Sequence, residues 1–345
     1  MVNIAFRVDG GPKTGMGHLM RCLALANAFP EENKIVFITK SEKSVVDKLE
    51  HTRYDLVPIE KDIGCNEEAK LVGKILKEND TDIFIGDTYY SDESIDIDEN
   101  YFLEIKSIVS KTVAISPKVS ITLPFDIVIN GNVFANELQY NTSNDNTKFL
   151  LGPKYALLRE EFQNLPDKDI SEEVNNIIVT MGGGDPLNLT PKALEAIDKI
   201  DKDDIHVDVI IGPAVYEMDD ILKAIEEMNL EVSLRFNPSK ISEFMMKADI
   251  AVSAGGSTLY ELAVTGTPAV VLLQAGNQLP VADAMEKEGT IISLGFGNDV
   301  KIEKLTECII DLLHKPNKRK KMSRKGKELI DGLGAKRCVN AILNR

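Results

Sequence analysis

Residues 250–261 read IAVSAGGSTLYE, a short apolar run followed by paired glycines, two hydroxyl side chains and a helical pattern. A strand that passes through glycines into a helix is typical of parallel α/β sheets. The amides of Gly256, Ser257 and Thr258 at the helix start are predicted to bind a phosphate. Side chains lean toward the helix N-terminus, so the Glu261 carboxylate is aimed at the same place and can accept both hydroxyls of a ribose. This pattern indicates a nucleotide, and the alternative is a solvated glutamate beside an ordinary turn.

The same unit of apolar run, glycine turn and helical pattern recurs along the chain and predicts an α/β protein with parallel sheets. Each predicted strand is short, often β-branched, and bounded by Gly, Pro, Asn or Asp. The predicted strands of the first half are 4–8, 34–38, 82–86, 112–115 and 126–129. Those of the second half are 176–181, 206–211, 231–236, 250–253, 269–273 and 290–293.

A chain of 345 residues is long enough for two domains of ordinary size. We expect one domain over residues 1–150, a second over 151–315, and C-terminal helices over 316–345 that pack back on the first domain. The polar, Asn-rich stretch 137–148 (ELQYNTSNDNTK) is predicted to be a surface loop near the boundary. A hinge is expected between this loop and the first strand of the second domain.

The balance of 40 basic against 55 acidic residues argues against a nucleic-acid partner, because such binding depends on basic residues that neutralise phosphates. A small anion is still compatible with this charge, since the Debye length of about 8 Å lets local donors outweigh a distant acidic surface. The chain has neither a signal-peptide pattern nor an apolar run near the roughly 20 residues of a membrane helix. We therefore expect a cytoplasmic protein without stable membrane insertion. Reduced thiols are expected at the unpaired positions Cys22, Cys65, Cys308 and Cys338.

A second glycine loop, residues 9–18 (DGGPKTGMGH), lies between the first predicted strand and a helix, where open α/β sheets bind ligands. It lacks the third small residue of a dinucleotide fingerprint, and it is no P-loop. Gly15 and Gly17 allow the backbone to approach a ligand closely. The helix dipole disfavours a charged His18 in the first turn, which suits a general base; the alternative is a histidine that only packs or caps. One turn on, Arg21 is predicted to hold a phosphate or a neighbouring carboxylate, or to form a surface ion pair.

Two further loops each join a predicted strand to a helix. Residues 181–186 (MGGGDP) expose bare amides to an anion or a sugar, or form a tight turn, before a helix that we expect Thr190 to cap. Residues 274–278 (QAGNQ) offer neutral amides for sugar hydroxyls or phosphate oxygens, and an ordinary polar turn explains them equally well in isolation. The substrate-binding candidates in these loops are Gly183, Asp185, Asn277 and Gln278.

Two other charged patterns are interpreted as incidental. The acidic triplets 96–98 (DID) and 201–203 (DKD) resemble a metal-binding Asp-x-Asp, but neither adjoins a glycine loop, and 55 acidic residues produce such triplets by chance. We therefore expect no metal. Residues 315–327 hold eight basic residues in thirteen, which on a helix is usually a solvated face, the alternative being a membrane or nucleic-acid surface.

Four segments carry a recognisable family pattern when they are taken together. They are 15–23 (GMGHLMRCL), 151–159 (LGPKYALLR), 181–190 (MGGGDPLNLT) and 253–261 (SAGGSTLYE). They resemble the UDP-sugar hydrolases of pseudaminic acid biosynthesis (PseG-type), and the resemblance runs from about residue 4 to residue 295. It implies a GT-B fold, in which two Rossmann-like domains with parallel sheets face a central cleft, and a relation to the MurG N-acetylglucosaminyltransferase.

The resemblance also implies a reaction: hydrolysis of UDP-2,4-diacetamido-2,4,6-trideoxy-β-L-altropyranose to the free sugar and UDP, without a metal or other cofactor. The first domain would be catalytic, with His18 as the base that activates water. The implied catalytic set is His18, Asp9, Arg21 and Tyr89. The implied UDP-sugar contacts are Gly15 and Gly17, Gly183 and Asp185, Phe236 at the uracil, Gly256, Ser257 and Thr258 at the diphosphate, Glu261 at the ribose, and Asn277 and Gln278 at the phosphate and sugar.

The chain departs from the family at residues 87–89 (DTY), where Thr88 replaces the histidine of a common Asp-His-Tyr motif. Two alternatives remain beside the hydrolase. A MurG-like transferase would use the same pocket for an acceptor hydroxyl, because fold alone does not decide the reaction. A non-catalytic nucleotide-sugar binding protein would retain the pocket without the chemistry. We expect a monomer whose partner is the UDP-sugar.

Overall fold

The computed structural model describes residues 1–11, 15–87, 99–116, 122–202, 204–215 and 217–344. The chain forms two compact units, which we call unit 1 (Met1–Glu160 and Leu333–Arg345) and unit 2 (Glu161–Gly332). The observed division follows Glu160, ten residues after the boundary expected from the sequence. The chain returns to unit 1 at Leu333, whereas all of residues 316–332 belong to unit 2.

Unit 1 is a parallel sheet with the strand order β3-β2-β1-β4-β5-β7-β9 among the described residues, beside a short β6-β8 pair. Its helices are α1 (Gly17–Ala28), α2 (Lys43–Glu50), α3 (Cys65–Glu78) and α4 (Glu99–Lys106), followed at the chain end by α12 (Gly334–Ile342). Its strands are β1 (Asn3–Val8), β2 (Lys34–Lys40), β3 (Asp55–Ile59), β4 (Ile83–Asp87), β5 (Lys111–Ile115), β6 (Thr122–Leu123), β7 (Ile127–Asn130), β8 (Asn141–Thr142) and β9 (Lys148–Leu151).

The central strands of unit 1 are mostly apolar because helices cover both faces of the sheet, and the buried Arg7 and Asp87 are the charged exceptions in β1 and β4. Ile4 and Phe6 of β1 belong to the core on the side of α1 and α12, whereas Ala5 packs into the core that includes α3 and α4. From α12, Cys338 and Ile342 complete the first of these cores. Only α12 packs back on unit 1, because the preceding helix contacts unit 2.

Unit 2 is a parallel sheet with the order β12-β11-β10-β13-β14-β15 among the described residues. Its strands, all close to their predicted positions, are β10 (Asn176–Thr180), β11 (His206–Ile211), β12 (Glu231–Phe236), β13 (Ile250–Ala254), β14 (Ala269–Leu273) and β15 (Ile291–Phe296). Its helices are α5 (Leu189–Asp198), α6 (Asp219–Glu227), α7 (Ile241–Lys247), α8 (Thr258–Thr265), α9 (Leu279–Lys287), α10 (Ile302–Leu313) and α11 (Pro316–Leu329).

The basic residues of α11 are largely neutralised within unit 2. Lys318 pairs with Asp311 at 2.9 Å, Lys320 with Glu172 at 2.5 Å, and Lys327 with Asp167 at 2.5 Å. Such ion pairs on a helix surface fit the expected solvated face better than a surface reserved for nucleic acid or lipid. Within the described part of the chain, no helix combines the length and the hydropathy needed to cross a membrane.

Hydrogen bonds from Lys168 fix the segment at the start of unit 2 to the rest of this unit. The Nζ atom of Lys168 donates to the carbonyl oxygen of Met245 at 2.9 Å, to Oγ1 of Thr267 at 2.7 Å, and to the carbonyl oxygen of Ala248. Burial lowers the pKa of the Lys168 ammonium to about 7, and the attraction of Asp249 opposes this shift only in part. The folded protein therefore loses this proton at a lower pH than the unfolded chain does.

The Lys168 site makes the stability of unit 2 depend on pH. Between about pH 7 and the ordinary lysine value of 10.5, the unfolded chain binds a proton that the folded chain has released, so the free energy of unfolding rises with pH. We expect the wild type to gain about 1 kcal/mol per pH unit relative to Lys168→Met in this window. Urea unfolding at several pH values measures the difference, with Lys223→Met, an exposed lysine, as control. A difference independent of pH would contradict the expectation.

Candidate functional site

The strand orders place a topological switch point in each unit. In unit 1 the strands run outward from β1 on one side and from β4 on the other, and in unit 2 they do so from β10 and β13. Ligands of open α/β sheets bind outside the carboxyl ends of the strands at such points. Three of the four glycine loops found in the sequence follow β1, β10 or β13, and the fourth follows β14 next to β13. The predicted functional residues therefore sit at the carboxyl edges of the two sheets.

His18 lies at the second position of α1 with its side chain mostly buried. Its Nδ1 is 2.8 Å from Oδ1 of Asp87, the last residue of β4, which is fully buried beside Val8 of β1. Arg21, one turn along α1, donates to both carboxylate oxygens of Asp87, with Nη2 at 2.5 Å from Oδ1 and Nε bound to Oδ2. The sequence predicted a phosphate, a neighbouring carboxylate or a surface ion pair as the partner of Arg21, and the structure shows the carboxylate of Asp87.

Asp87 is the site residue that sequence reasoning missed. Burial alone would raise the pKa of the Asp87 carboxyl, but Arg21 and His18 together lower this pKa well below its usual range. The group is therefore a carboxylate that can fix the orientation of the imidazole ring. The sequence indicates Asp87 only through its position, as an acidic residue at the end of a predicted strand next to the switch point.

Asp9, which the family resemblance places in the catalytic set with His18, shares no bond with His18 among those that the structure describes. Its carboxylate accepts bonds from Arg7 at 2.5 and 2.8 Å and from the Lys40 amide at 2.9 Å. Burial would raise the pKa of Asp9, but Arg7 and Lys40 lower it, so the group stays ionised. The Arg7 guanidinium also binds Glu68 at 2.9 Å, and both side chains are fully buried. Asp9 thus joins the ends of β1 and β2.

In the glycine loop between β1 and α1, Gly11 and Gly15 bond to each other through both amides, at 3.2 and 2.7 Å. Among the described residues, no atom lies within 4 Å of the place that a Cβ would take at Gly15 or at Gly17. The backbone there borders open space, as expected of a surface that a ligand approaches. Tyr89, the fourth implied catalytic residue, lies outside the described residues, as do Thr88 and the triplet 96–98.

The loops of unit 2 also present bare backbone to open space. Gly182 adopts a φ of +78°, a conformation that favours glycine, and a Cβ at Gly183 would meet nothing within 4 Å. At Gly256 the same atom would meet only the Gln278 amide nitrogen, at 3.9 Å. These positions follow β10 and β13, the two strands of the switch point. The exposed backbone there can accept close approach by an anion.

Asp185 has both carboxylate oxygens occupied within its own loop and helix. Oδ1 accepts the Leu189 amide at 2.8 Å, and Oδ2 accepts the amide and hydroxyl of Thr190 at 2.8 and 2.7 Å. Asp185 therefore caps α5, and the prediction that Thr190 is the cap was wrong. The Asp185 carboxylate occupies the end of α5 that an anionic ligand would otherwise use. Its bonds to Leu189 and Thr190 fix the glycine loop to the start of this helix.

The start of α8 matches the predicted phosphate site more closely. Ser257 is exposed at the N-cap position without a capping bond from its side chain, and Thr258 is the first helical residue. Amides in the first turn of a helix lack intrahelical acceptors and favour anions. Glu261 lies three residues further along α8 and is partly buried.

The remaining substrate candidates divide into a fixed amide and two exposed side chains. Oε1 of Gln278 accepts the amides of Gly255 at 3.2 Å and Gln274 at 2.9 Å, which joins the loops after β13 and β14. Asn277 beside it is exposed. Phe236 ends the edge strand β12 with 62% of its surface exposed. Among the described residues, no cluster of histidine, cysteine and acidic side chains has the form of a metal site.

Comparisons with known proteins agree with this architecture. Residues 176–337 match the glycosyltransferase family 28 C-terminal domain. The crystal structure of Acinetobacter baumannii MurG superposes over 100% of both chains with a TM-score of 0.72 at 14% identity. At that identity the likeness establishes the fold, which is GT-B, with two Rossmann-like units built on parallel sheets. The fold class predicted from the sequence is thereby confirmed.

Several curated relatives are more similar in sequence. The chain is 26% identical to the spore coat polysaccharide biosynthesis protein SpsG of Bacillus subtilis, over 99% of this chain and 98% of that protein. It is 22% identical to the UDP-2,4-diacetamido-2,4,6-trideoxy-β-L-altropyranose hydrolase of Campylobacter jejuni, over 84% and 97%. An uncharacterised Methanocaldococcus jannaschii protein is 30% identical over 79% of this chain, which spans only 56% of that relative. These relatives and the fold associate the chain with nucleotide-sugar chemistry.

Proposed function

We propose that the protein is a hydrolase of a UDP-linked diacetamido trideoxy sugar, releasing the free sugar and UDP in the biosynthesis of a nonulosonic acid of the pseudaminic type. The observation that carries the proposal is the 2.8 Å contact between Nδ1 of His18 and the buried Asp87 carboxylate. A histidine whose Nδ1 is held in this way can transfer a proton through Nε2. The Campylobacter jejuni relative supports the choice of substrate.

In the proposed mechanism, the Nδ1–H group of His18 donates a hydrogen bond to the Asp87 carboxylate, so that Nε2 carries the lone pair. Nε2 takes a proton from water as the water oxygen bonds to the anomeric carbon. The bond between that carbon and the diphosphate oxygen breaks, and its electron pair leaves with UDP. General-base assistance of this kind contributes about 10² to 10⁴ in rate. Asp87 remains ionised throughout and stabilises the imidazolium that forms.

Unit 2 is proposed to hold the nucleotide. The backbone at Gly183 and Gly256 and the first turn of α8 would bind the diphosphate, with Glu261 at the ribose and Phe236 against the uracil. Hydrogen bonds from amides to charged oxygens contribute roughly 1.5 to 3 kcal/mol each. The loops 181–188, 253–261 and 274–278 contain no lysine or arginine, so amides and the helix dipole are the groups these loops offer to the negative charge.

The proposal is tested by incubating the protein with UDP-2,4-diacetamido-2,4,6-trideoxy-β-L-altropyranose and no acceptor. Proton NMR at the anomeric position should show free sugar appearing in equal amount with UDP. A panel of UDP-diacetamido sugars with other stereochemistry then defines the substrate preference. Stable substrate after hours, together with UDP binding measured by calorimetry, would refute catalysis and leave a nucleotide-sugar binding protein.

A MurG-type transferase is the second candidate, and the match of residues 176–337 to the family 28 glycosyltransferase domain favours it. In that reaction His18 would take the proton of an acceptor hydroxyl instead of water. The same incubation separates the two reactions. Product that forms only after an acceptor sugar is added would replace hydrolysis by transfer.

A further inference from the structure

Two groups of opposite character meet the same ring nitrogen of His18. The Asp87 carboxylate oxygen Oδ1, an acceptor, lies 2.8 Å from Nδ1, and the Arg21 guanidinium nitrogen Nη2, a donor, lies 2.9 Å from it. Both belong to one ion pair, since Arg21 also donates to both oxygens of Asp87. An acceptor favours a proton on Nδ1, and a cation beside the ring opposes a second proton elsewhere on it.

We propose that Arg21 is a positioning residue that binds both oxygens of Asp87 and so offsets the attraction of this carboxylate for a second proton on the His18 ring, whose Nε2 serves as the base. This inference rests on the proposed function for its catalytic meaning. Its physical content, an effect of Arg21 on the protonation of His18, stands on the contacts alone.

The restraint follows from the charges that surround the ring. A carboxylate within hydrogen-bond distance stabilises an imidazolium, and a ring already charged cannot accept a proton from water. The Arg21 guanidinium donates from Nε to one oxygen of Asp87 and from Nη2 to the other. Its positive charge therefore offsets the charge of the carboxylate near the ring. Asp87 keeps the orientation of the ring, while Arg21 cancels most of its electrostatic attraction for a second proton.

The contacts that the structure gives for Asp87 come from α1. Besides Arg21, α1 contributes Cys22, whose Sγ lies 3.6 Å from Oδ2 of Asp87. Burial and the Asp87 charge raise the pKa of this thiol well above its usual range, so Cys22 adds a weak neutral donor and no charge. Arg21 is therefore the positive group of α1 that the structure shows bound to Asp87, and its removal leaves a carboxylate with less compensation.

The test is an NMR titration of the ¹⁵N-labelled imidazole rings in the full-length protein without substrate. The His18 signal is identified by its loss in His18→Asn. In the wild type we expect the neutral ring to carry its proton on Nδ1. In Arg21→Gln the titration midpoint of the His18 ring should rise by about one pH unit, because a cation within hydrogen-bond distance is lost. In Asp87→Asn the midpoint should fall and the proton should redistribute between the two nitrogens.

Two further variants keep the outcome interpretable. Arg21→Lys retains the charge without the paired donors, and its midpoint should lie between those of wild type and Arg21→Gln, even where Arg21→Gln folds poorly. Arg53→Gln removes an exposed arginine of unit 1, paired with Glu31, and should leave the midpoint unchanged. A midpoint that stays constant or falls in Arg21→Gln, or a wild-type ring protonated on Nε2, would overturn the proposal.

The pH dependence of the hydrolysis rate tests the same proposal independently of the NMR titration. The acid limb of the pH–rate profile should move upward in Arg21→Gln, with a loss of about tenfold below the midpoint and little loss above it. A purely structural role would lower the rate equally at every pH. Should hydrolysis fail for the wild type, the proposed function falls while the NMR titration still decides the role of Arg21.

Discussion

The His18→Ala variant should lose about 10² to 10⁴ in the rate of UDP-sugar hydrolysis, which is the usual contribution of a general base. The remaining rate would reflect the nucleotide site, whose candidate residues lie in unit 2. Calorimetry should therefore give a similar UDP affinity for the variant and the wild type. Single-turnover measurements with excess enzyme separate the loss in the chemical step from any change in product release.

A matched control for this substitution is His51→Ala, which removes an exposed histidine of unit 1 whose Nδ1 contacts the Asp47 carbonyl at 2.6 Å. This variant should hydrolyse substrate at the wild-type rate. Asp87→Asn provides a second comparison, because it leaves the imidazole in place without a carboxylate to orient it. If His18→Ala turned over substrate normally, another group would have to be the base.

The largest effect on stability is expected for Arg7→Met. The Arg7 guanidinium is buried between Asp9 and Glu68, with bonds of 2.5 to 2.9 Å to both carboxylates. Methionine would remove the cation that binds both of these partly or fully buried carboxylates and leave Lys40 as the cation that the described residues place near them. Removing one partner of a buried ion pair typically lowers the free energy of unfolding by about 3 to 5 kcal/mol. We expect a loss of about this size for Arg7→Met.

Urea unfolding followed by circular dichroism measures this loss, and hydrogen exchange in β1 assigns it to unit 1. Arg53→Met serves as the control, since an exposed ion pair such as that with Glu31 contributes about 1 kcal/mol or less. The double variant Arg7→Met with Glu68→Leu should recover part of the loss, because one uncompensated charge is removed with its partner. Equal unfolding midpoints for Arg7→Met and wild type would contradict the expectation that Arg7 stabilises the fold through these carboxylates.

The sequence predicted unit 2 almost completely because its strands are continuous apolar runs separated by long helical patterns. In unit 1 the strand β3 (DLVPI) escaped detection, since Pro58 breaks the pattern. Proline is tolerated there because β3 is an edge strand with one side free of sheet hydrogen bonds. Strand β9 was also missed, since half of its residues are exposed and its partner β7 lies about twenty residues earlier.

The candidate site was predictable where a local motif specifies geometry. Glycine loops between strands and helices located His18 and the start of α8, because their position depends only on neighbouring residues. The pairing of His18 with Asp87 joins residues 69 positions apart and depends on the adjacency of β1 and β4. Likewise Asp9 looked available in the sequence, because nothing there reveals that Arg7 of the same strand and Glu68 of α3 hold it.

The double acceptance by Gln278 has a practical consequence for engineering. One amide oxygen fastens two loops, so any replacement at this position would disturb the neighbourhoods of Gly255 and Gln274 at once. Asn277, by contrast, projects from the surface beside it and can change without unfastening either loop. Libraries intended to alter sugar preference should diversify position 277 and leave its neighbour intact.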